Sequence, residues 1–191
     1  KVLKKFKMDQ AKKGFLPVLQ GVKLSKTQCS TTAEDREKMK SVPYASAIGS
    51  IMYAMLCNRP DVCLAISISG RYQSNPGVEQ WTAVKDILKY LKRTKDMFLA
   101  YGGDKEIVVN GYVNASFDTD PDDSKSQTGY ILNGGAVSWC SSKHRVVAGS
   151  TCEVEYVAAS EAENEGVRMK EFISVLGVIP SASGPMKIFC D

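Results

Sequence analysis

The sequence predicts an α+β chain, helical over its first half and mixed strand and helix over its second. Three observations carry this. Between Val78 and Arg93 the apolar residues recur with a helical period, placing Trp81, Val84, Leu88 and Leu91 on one face and Lys85, Lys89 and Lys92 on another. Beyond Thr94–Met97 the pattern changes to short apolar runs, and Asn133-Gly134-Gly135 between two of them is a strong hairpin signal. Ser150-Thr151 followed by Glu153 and Glu155 then opens a long helix, a hydroxyl cap with acids near the positive end of the dipole. The expected organisation is a helical segment over residues 1–97 and a mixed domain over 98–191.

Taken in order, the basic residues 1–14, with Leu3, Phe6 and Met8, read as the tail of a helix. Residues 15–25 read as an extended connector. Thr31-Thr32-Ala33-Glu34-Asp35 is a helix start. The uncharged run from Tyr44 to Leu56 is rich in small residues and predicts a closely packed, buried helix, with Met52 and Met55 as core. Asn58-Arg59-Pro60-Asp61 breaks it, and Asp61 is expected to cap a helix running through Val62, Leu64, Ile66 and Ile68. Asn75-Pro76-Gly77 is a turn before the amphipathic helix. Strands are expected at Phe98–Tyr101, Ile107–Val109 with Tyr112-Val113, Gly129–Leu132, Ala136–Trp139 and Met186–Cys190. Gly177 is the expected stop of the long helix.

Composition narrows the class. The 191 residues are 43% hydrophobic and 24% charged, which suits one large folded domain or two small ones and excludes wholesale disorder. No apolar run approaches the roughly 18 residues of a membrane span. The first residues lack a signal-peptide core and an initiator Met, so the chain reads as a piece of something longer and as intracellular, cytoplasmic or nuclear. Six cysteines without a Cys-x-x-Cys pair, and a single histidine, make no zinc spacing; they read as reduced, mostly buried thiols. Asn114-Ala115-Ser116 matches a glycosylation sequon, which matters only in a secreted protein.

Charge is unevenly placed. Residues 1–100 hold 18 Lys and Arg against 8 Asp and Glu, and residues 101–191 hold 7 against 13. A basic half that holds a polyanion joined to an acidic half that holds cations accounts for this, and so do two domains with unrelated surfaces. Lys85, Lys89, Lys92, Arg93 and Lys95, interleaved with Trp81 and Tyr90, form a strip suited to phosphate contact; the pattern alone equally describes a solvated helix face. Metal-dependent phosphodiester hydrolysis needs carboxylates gathered from separate elements around two Mg²⁺ ions about 3.5–4 Å apart. An acid near the start of a helix, Glu155, and one at a strand end, Asp191, suit two such slots, although a turn or cap is the commoner role of a strand-end Asp.

Longer stretches then resemble a known family. Tyr44–Tyr53, Arg59-Pro60-Asp61, Tyr72–Pro76 and Trp81–Lys85 are similar to the segment after the reverse transcriptase in copia-type LTR retrotransposon Pol polyproteins. Gly111-Tyr112, Lys125–Tyr130, Ser150–Tyr156 and Cys190-Asp191 resemble the ribonuclease H domain of the same polyproteins. The resemblance covers nearly the whole chain in the right order. It implies that residues 1–97 are a polymerase thumb end and helical connection lacking the palm and its catalytic aspartates. Residues 98–191 would be a C-terminally truncated ribonuclease H-like domain that cuts the RNA strand of an RNA–DNA hybrid. By the resemblance the metal ligands are Glu155 and Asp191, and the first metal-binding Asp of the family falls at Asn114, with Ser116 two residues on. Mg²⁺ is the implied cofactor. An RNA–DNA hybrid or other nucleic acid and the remainder of the Pol polyprotein are the implied partners, with no membrane.

The Asp-to-Asn difference removes one negative charge and one strong oxygen ligand, so Mg²⁺ binding and cleavage are both expected to suffer, more so if the closing elements are missing. Other motifs carry less. Asp118, Asp120, Asp122 and Asp123 lack the glycine and closing Glu of a calcium loop and read as a solvated acidic loop. Ser141, Ser142 or Ser150 with His144 lacks a nucleophile elbow, and Gly134-Gly135 lacks the Lys-Ser/Thr of a phosphate loop. Glu161, Glu163 and Glu165 read as the outer side of the long helix. Two functions therefore stand at the level of sequence: a hybrid-cleaving enzyme, impaired here, and a catalytically dead module that binds nucleic acid or protein.

Overall fold

A computed structural model describes residues 1–19, 21–101, 110–132, 136–177 and 184–190. It is α+β, and the chain divides into two compact units, Lys1–Phe98 and Leu99–Asp191.

The first unit is helical: α1 (Val2–Lys5), α2 (Ala33–Lys40), α3 (Tyr44–Asn58), α4 (Cys63–Ser69) and α5 (Val78–Arg93), with short 3₁₀ turns between them. Its core joins Ile48, Ile51 and Met55 of α3 to Val62, Ala65 and Ile66 around α4 and to Val84, Ile87, Leu88 and Leu91 of α5. Thr32 caps α2 as the sequence predicts, its hydroxyl accepting from the Asp35 N–H at 3.1 Å. Gln80 is wholly buried, accepting from the Gly77 N–H and donating to the Ser25 carbonyl, and so ties α5 to the connector.

Three expectations change here. The initial helix ends at Lys5, because Lys7 adopts a left-handed φ of 54° that turns Met8 back into the core. The α3 helix is not buried all round: Tyr53 is 73% and Leu56 64% exposed, since neighbours pack against one stripe only. Asp61 does not cap α4. A 3₁₀ turn, Pro60–Val62, turns its carboxylate toward α5, where Arg59 donates to both oxygens at 3.0 and 2.7 Å and the Tyr90 hydroxyl donates at 2.8 Å. Arg59 also donates to the Thr94 hydroxyl, so one arginine closes the α3 end onto the end of α5.

The second unit pairs β1 (Asn110–Ser116), β2 (Gln127–Leu132), β3 (Ser138–Lys143) and β4 (Lys187–Cys190) in the order β3-β2-β1-β4, with one helix, α6 (Thr151–Leu176). The β1–β2 and β2–β3 pairs are antiparallel, and β4 runs parallel to β1, so α6 is the crossover between them. Val113 of β1 packs on Ala158 and Ala162 of α6. Gly166, one turn on, lies so close to Met186 that a Cβ would come within 1.8 Å of its Cε. Ser150 caps α6 and Gly177 ends it at φ 65°, both as the sequence predicts. The opposite face of the sheet is open among the described residues, with Tyr112 and Phe189 stacked at 5.2 Å and about half exposed.

Phe98–Tyr101 forms no strand: Phe98 is 84% exposed, with no strand paired to the run among the described residues. Ile107–Val109 and the Asn133-Gly134-Gly135 turn lie outside the described residues. All six cysteines are free, and none is fully buried, contrary to expectation. Cys57 sits on the open side of α3, Cys152 in the first turn of α6 and Cys190 on β4. No helix among the described residues is long and apolar enough to cross a membrane.

The Asp61 network makes a pH prediction. Burial alone pushes this carboxyl up, but the hydrogen bonds from Arg59 and Tyr90 outweigh it and hold it below the usual carboxylate range. Its stabilising contribution is therefore full above the unfolded value of about 3.9 and is lost as pH falls through the lower folded one. Asp61→Asn is expected to cost about 1 kcal/mol at pH 7 by urea unfolding, a figure kept small because the side chain is partly exposed. The difference from wild type should vanish near pH 2.

Candidate functional site

The site is built on β1 and α6. Tyr112 and Val113 make β1 a half-buried strand in which Gly111 and Val113 face inward while Tyr112, Asn114 and Ser116 are exposed. Asn114 stands opposite Gly129 of β2. Its neighbour Val113 pairs with Cys190 of β4. Asp191 follows Cys190 in the chain and lies outside the described residues.

Glu155 is in the second turn of α6, three residues before Ala158 and seven before Ala162, on the stripe that docks against β1. Its Oε2 is buried and has no hydrogen-bond partner. A carboxylate oxygen removed from water without a donor destabilises the protein unless a cation reaches it. Among the described residues no group of three or more His, Cys, Asp or Glu side chains is gathered to hold a metal ion. The described donors are thus one carboxylate with an orphan oxygen and an amide on the exposed side of β1, short of what two Mg²⁺ ions require.

The acidic loop after β1 is structured rather than solvated. The Asp120 carboxylate is 1% exposed and meets Lys143 of β3 at 2.8 Å. Lys143 also meets Asp123 at 2.7 Å and holds it below the usual carboxylate range. Backbone bonds between Asp120 and Lys125, and from Ser124 to Asp120, close the loop. Two of its four aspartates are therefore committed to a strand lysine.

Glu161 and Glu165 are likewise not simply an outer helix face. Thr128 and Ser142 donate to Glu161 at 3.1 and 3.5 Å, and Ser138 donates to Glu165 at 3.1 Å. They form a polar seam where α6 crosses β2 and β3. Burial pushes the Tyr130 hydroxyl in this seam up to about 12, and burial with the nearby Glu161 raises the Cys140 thiol. The signal in the sequence was the alternating Ser138, Cys140 and Ser142 facing two glutamates four residues apart. His144 is almost wholly buried, and neither ring nitrogen has a hydrogen-bond partner, so it activates no serine.

The basic strip on α5 is largely engaged. Lys89 pairs with Asp86 at 2.7 Å, Lys92 donates to the Ala11 carbonyl at 2.7 Å, and the Arg93 guanidinium lies 3.9 Å above the Phe15 ring. Lys95 is exposed and 4.0 Å from Asp96, while Lys85 is half-buried. Trp81 packs against Tyr44 at the core edge, and the Tyr90 hydroxyl is taken by Asp61, so neither aromatic stands free for base stacking.

Over 180 residues the chain is 45% identical to the Retrovirus-related Pol polyprotein from transposon TNT 1-94 of Nicotiana tabacum, which covers 93% of this chain and 14% of that protein. It is 32% identical over 152 residues to the corresponding polyprotein from transposon RE2 of Arabidopsis thaliana, of which it spans 10%. It is also 42% identical over 131 residues to Secreted RxLR effector protein 161 of Plasmopara viticola, covering 92% of that relative and 68% of this chain. No family model matches the chain, and no solved structure does.

The orphan oxygen of Glu155 predicts an unusual mutant. Glu155→Gln in metal-free buffer is expected to be at least as stable as wild type, gaining up to about 1 kcal/mol by thermal or urea unfolding. A loss of that size instead would make the carboxylate a structural group.

Proposed function

Since the chain belongs to the family of copia-type retrotransposon Pol polyproteins, we propose that its second unit is a ribonuclease H-like scaffold for cutting the RNA strand of an RNA–DNA hybrid. The observation that carries this reading is the β1–α6–β4 crossover. It sets Asn114 on one strand, Glu155 on the docked stripe of the crossover helix and Cys190, the residue before Asp191, on the parallel neighbour of β1. Three motifs far apart in the chain thus fall on adjoining elements, as a shared site requires. Asn114 is on the exposed side of β1 and Glu155 on the docked side, so a common centre belongs at the end of the strand, where both sides are within reach.

Glu155 and Asp191 would hold Mg²⁺, and its chemistry would be to activate water and steady the leaving oxygen. Asn114 contributes a neutral carbonyl in place of an anionic one, and the site is correspondingly weak. On this reading catalysis is impaired while the scaffold stands. The first unit would carry the hybrid backbone, with Lys85 of α5 and Lys95 just beyond it the basic groups of the strip least committed to other partners. The remainder of the polyprotein is the proposed covalent context, since the polyproteins it matches are many times longer.

A second reading, a binding module without cleavage, draws on a specific observation: a relative named as a secreted effector aligns over 92% of its own length. On this reading the scaffold of the present chain would serve by contact alone.

One experiment separates them. Asn114→Asp, placed in the polyprotein-length protein, is expected to raise Mg²⁺-dependent cleavage of a labelled RNA–DNA hybrid by about tenfold or more, each tenfold being about 1.4 kcal/mol of barrier. An inert Asn114→Asp protein that still binds hybrid in a filter assay at low salt supports the module. No binding at low salt removes the nucleic-acid role.

A further inference from the structure

The connector between α1 and α2 is pinned at both ends. At its start the Gly14 N–H donates to the Lys89 carbonyl at 3.0 Å and Phe15 lies under Arg93. At its end the Tyr72 hydroxyl donates to the Leu24 carbonyl at 2.7 Å, and Gln80 donates to the Ser25 carbonyl at 2.9 Å. Between the pins Pro17, Val18, Leu19, Val22 and Leu24 line, with α4 and α5, a half-open cavity of about 320 Å³. That is within the size range of small-ligand sites, about 300–1,000 Å³.

The walls are aliphatic: Leu19 and Val22 from the connector, Ala65 and Ile68 from α4. The charged groups of the lining are both acids, Glu79 and Asp86, on one face of α5 with Thr82 between them. This reverses the sign of the unit, where basic residues outnumber acidic ones by more than two to one. Lys89 neutralises Asp86, whereas Glu79 is exposed and forms no ion pair among the described residues. Leu19 and Val22 are each nearly half exposed, so apolar surface at the mouth lies in water.

We propose that this cavity binds an aliphatic group bearing a positive charge, its alkyl part between the connector and α4 and its ammonium or guanidinium beside Glu79. Burial of the alkyl part supplies the attraction, and Glu79 supplies the choice of sign. A free alkylamine and an aliphatic peptide carrying Lys or Arg share this chemistry. The site lies wholly within Lys1–Phe98 and is independent of the nuclease reading.

Methyl-selective NMR of the intact chain tests it, with octylammonium, octanol, octanoate and a doubly blocked Leu-Leu-Lys peptide as probes. Octylammonium is expected to shift the methyls of Leu19, Val22, Ala65 and Ile68. It should bind about fivefold more tightly than octanol, the worth of one unit charge pair near 4 Å in water, with octanoate weaker still. Glu79→Gln should abolish the preference with an unchanged Tm, Glu79→Lys should invert it, and salt near 0.5 M should flatten it. Tighter binding by the peptide on the same methyls names a protein segment as the source, and weaker binding names a small amine. Equal affinity for the three octyl probes, or shifts elsewhere on the protein, overturns the proposal.

Discussion

The close approach of α6 to the sheet is the constraint on which the second unit depends. Ala158, Ala162 and Gly166 form a stripe with almost no side-chain bulk, and Val113 fills the space they leave. At Gly166 the fit tightens to the point where a single methyl would collide with Met186. That distance sets how far the helix stands above β1 and where the chain re-enters the sheet as β4. It also fixes the height above the sheet of Glu155, one turn before Ala158 in the same helix. A bulkier stripe would lift the helix and part the hydroxyls of β2 and β3 from Glu161 and Glu165. The polar seam and the apolar seam are therefore one docking event, apolar over β1 and hydrogen-bonded over β2 and β3.

Charge counted along the sequence differs from charge available on the fold. The basic excess of the first half suggests a surface for a polyanion. Yet Lys89 pairs with Asp86 on its own helix, while Lys92 and Arg93 hold the Ala11 carbonyl and the Phe15 ring. In the acidic half, Lys143 draws Asp120 and Asp123 into a clamp that orders the loop after β1. These pairs leave the long-range field of each half intact but remove specific side chains from the list of free contacts. A polyanion would meet that field first and a smaller set of available groups second.

What was legible in the sequence was local. Thr32, Ser150 and Gly177 mark helix ends because a cap is satisfied within three or four residues of itself, and all three occupy those positions. The amphipathic period of α5 was equally plain, since a single face decides it. What failed depended on partners distant in sequence. Asp61 has the pattern of a cap, but Tyr90 lies 29 residues away and no local rule announces it. The apolar run at Phe98 reads as a strand, yet a strand exists only where another pairs with it. The α3 sequence signals burial without saying how many sides neighbours will cover. At the candidate site, Asn114 and Glu155 were found by motif. Their placement on opposite sides of β1 follows from strand alternation once the register is known, and the commitment of Asp120 to Lys143 follows from no short-range signal.

On the proposed reading, Asn114 in the place of an acid bears on persistence as well as on catalysis. Carboxylates gathered for a dication repel one another, and each is desolvated at some cost while the cation is away. Glu155 already has one oxygen without a donor, so a second anion at the end of β1 would deepen that cost. An amide removes the charge while keeping shape and hydrogen-bonding capacity. On the proposed reading, loss of the first ligand weakens metal binding and at the same time relaxes the strain the site imposes on the α6–β1 junction. Nothing in the docking stripe depends on the lost acid. A scaffold of this kind loses its chemistry more readily than its fold, which leaves the sheet, the crossover helix and the basic first unit in place for recognition alone.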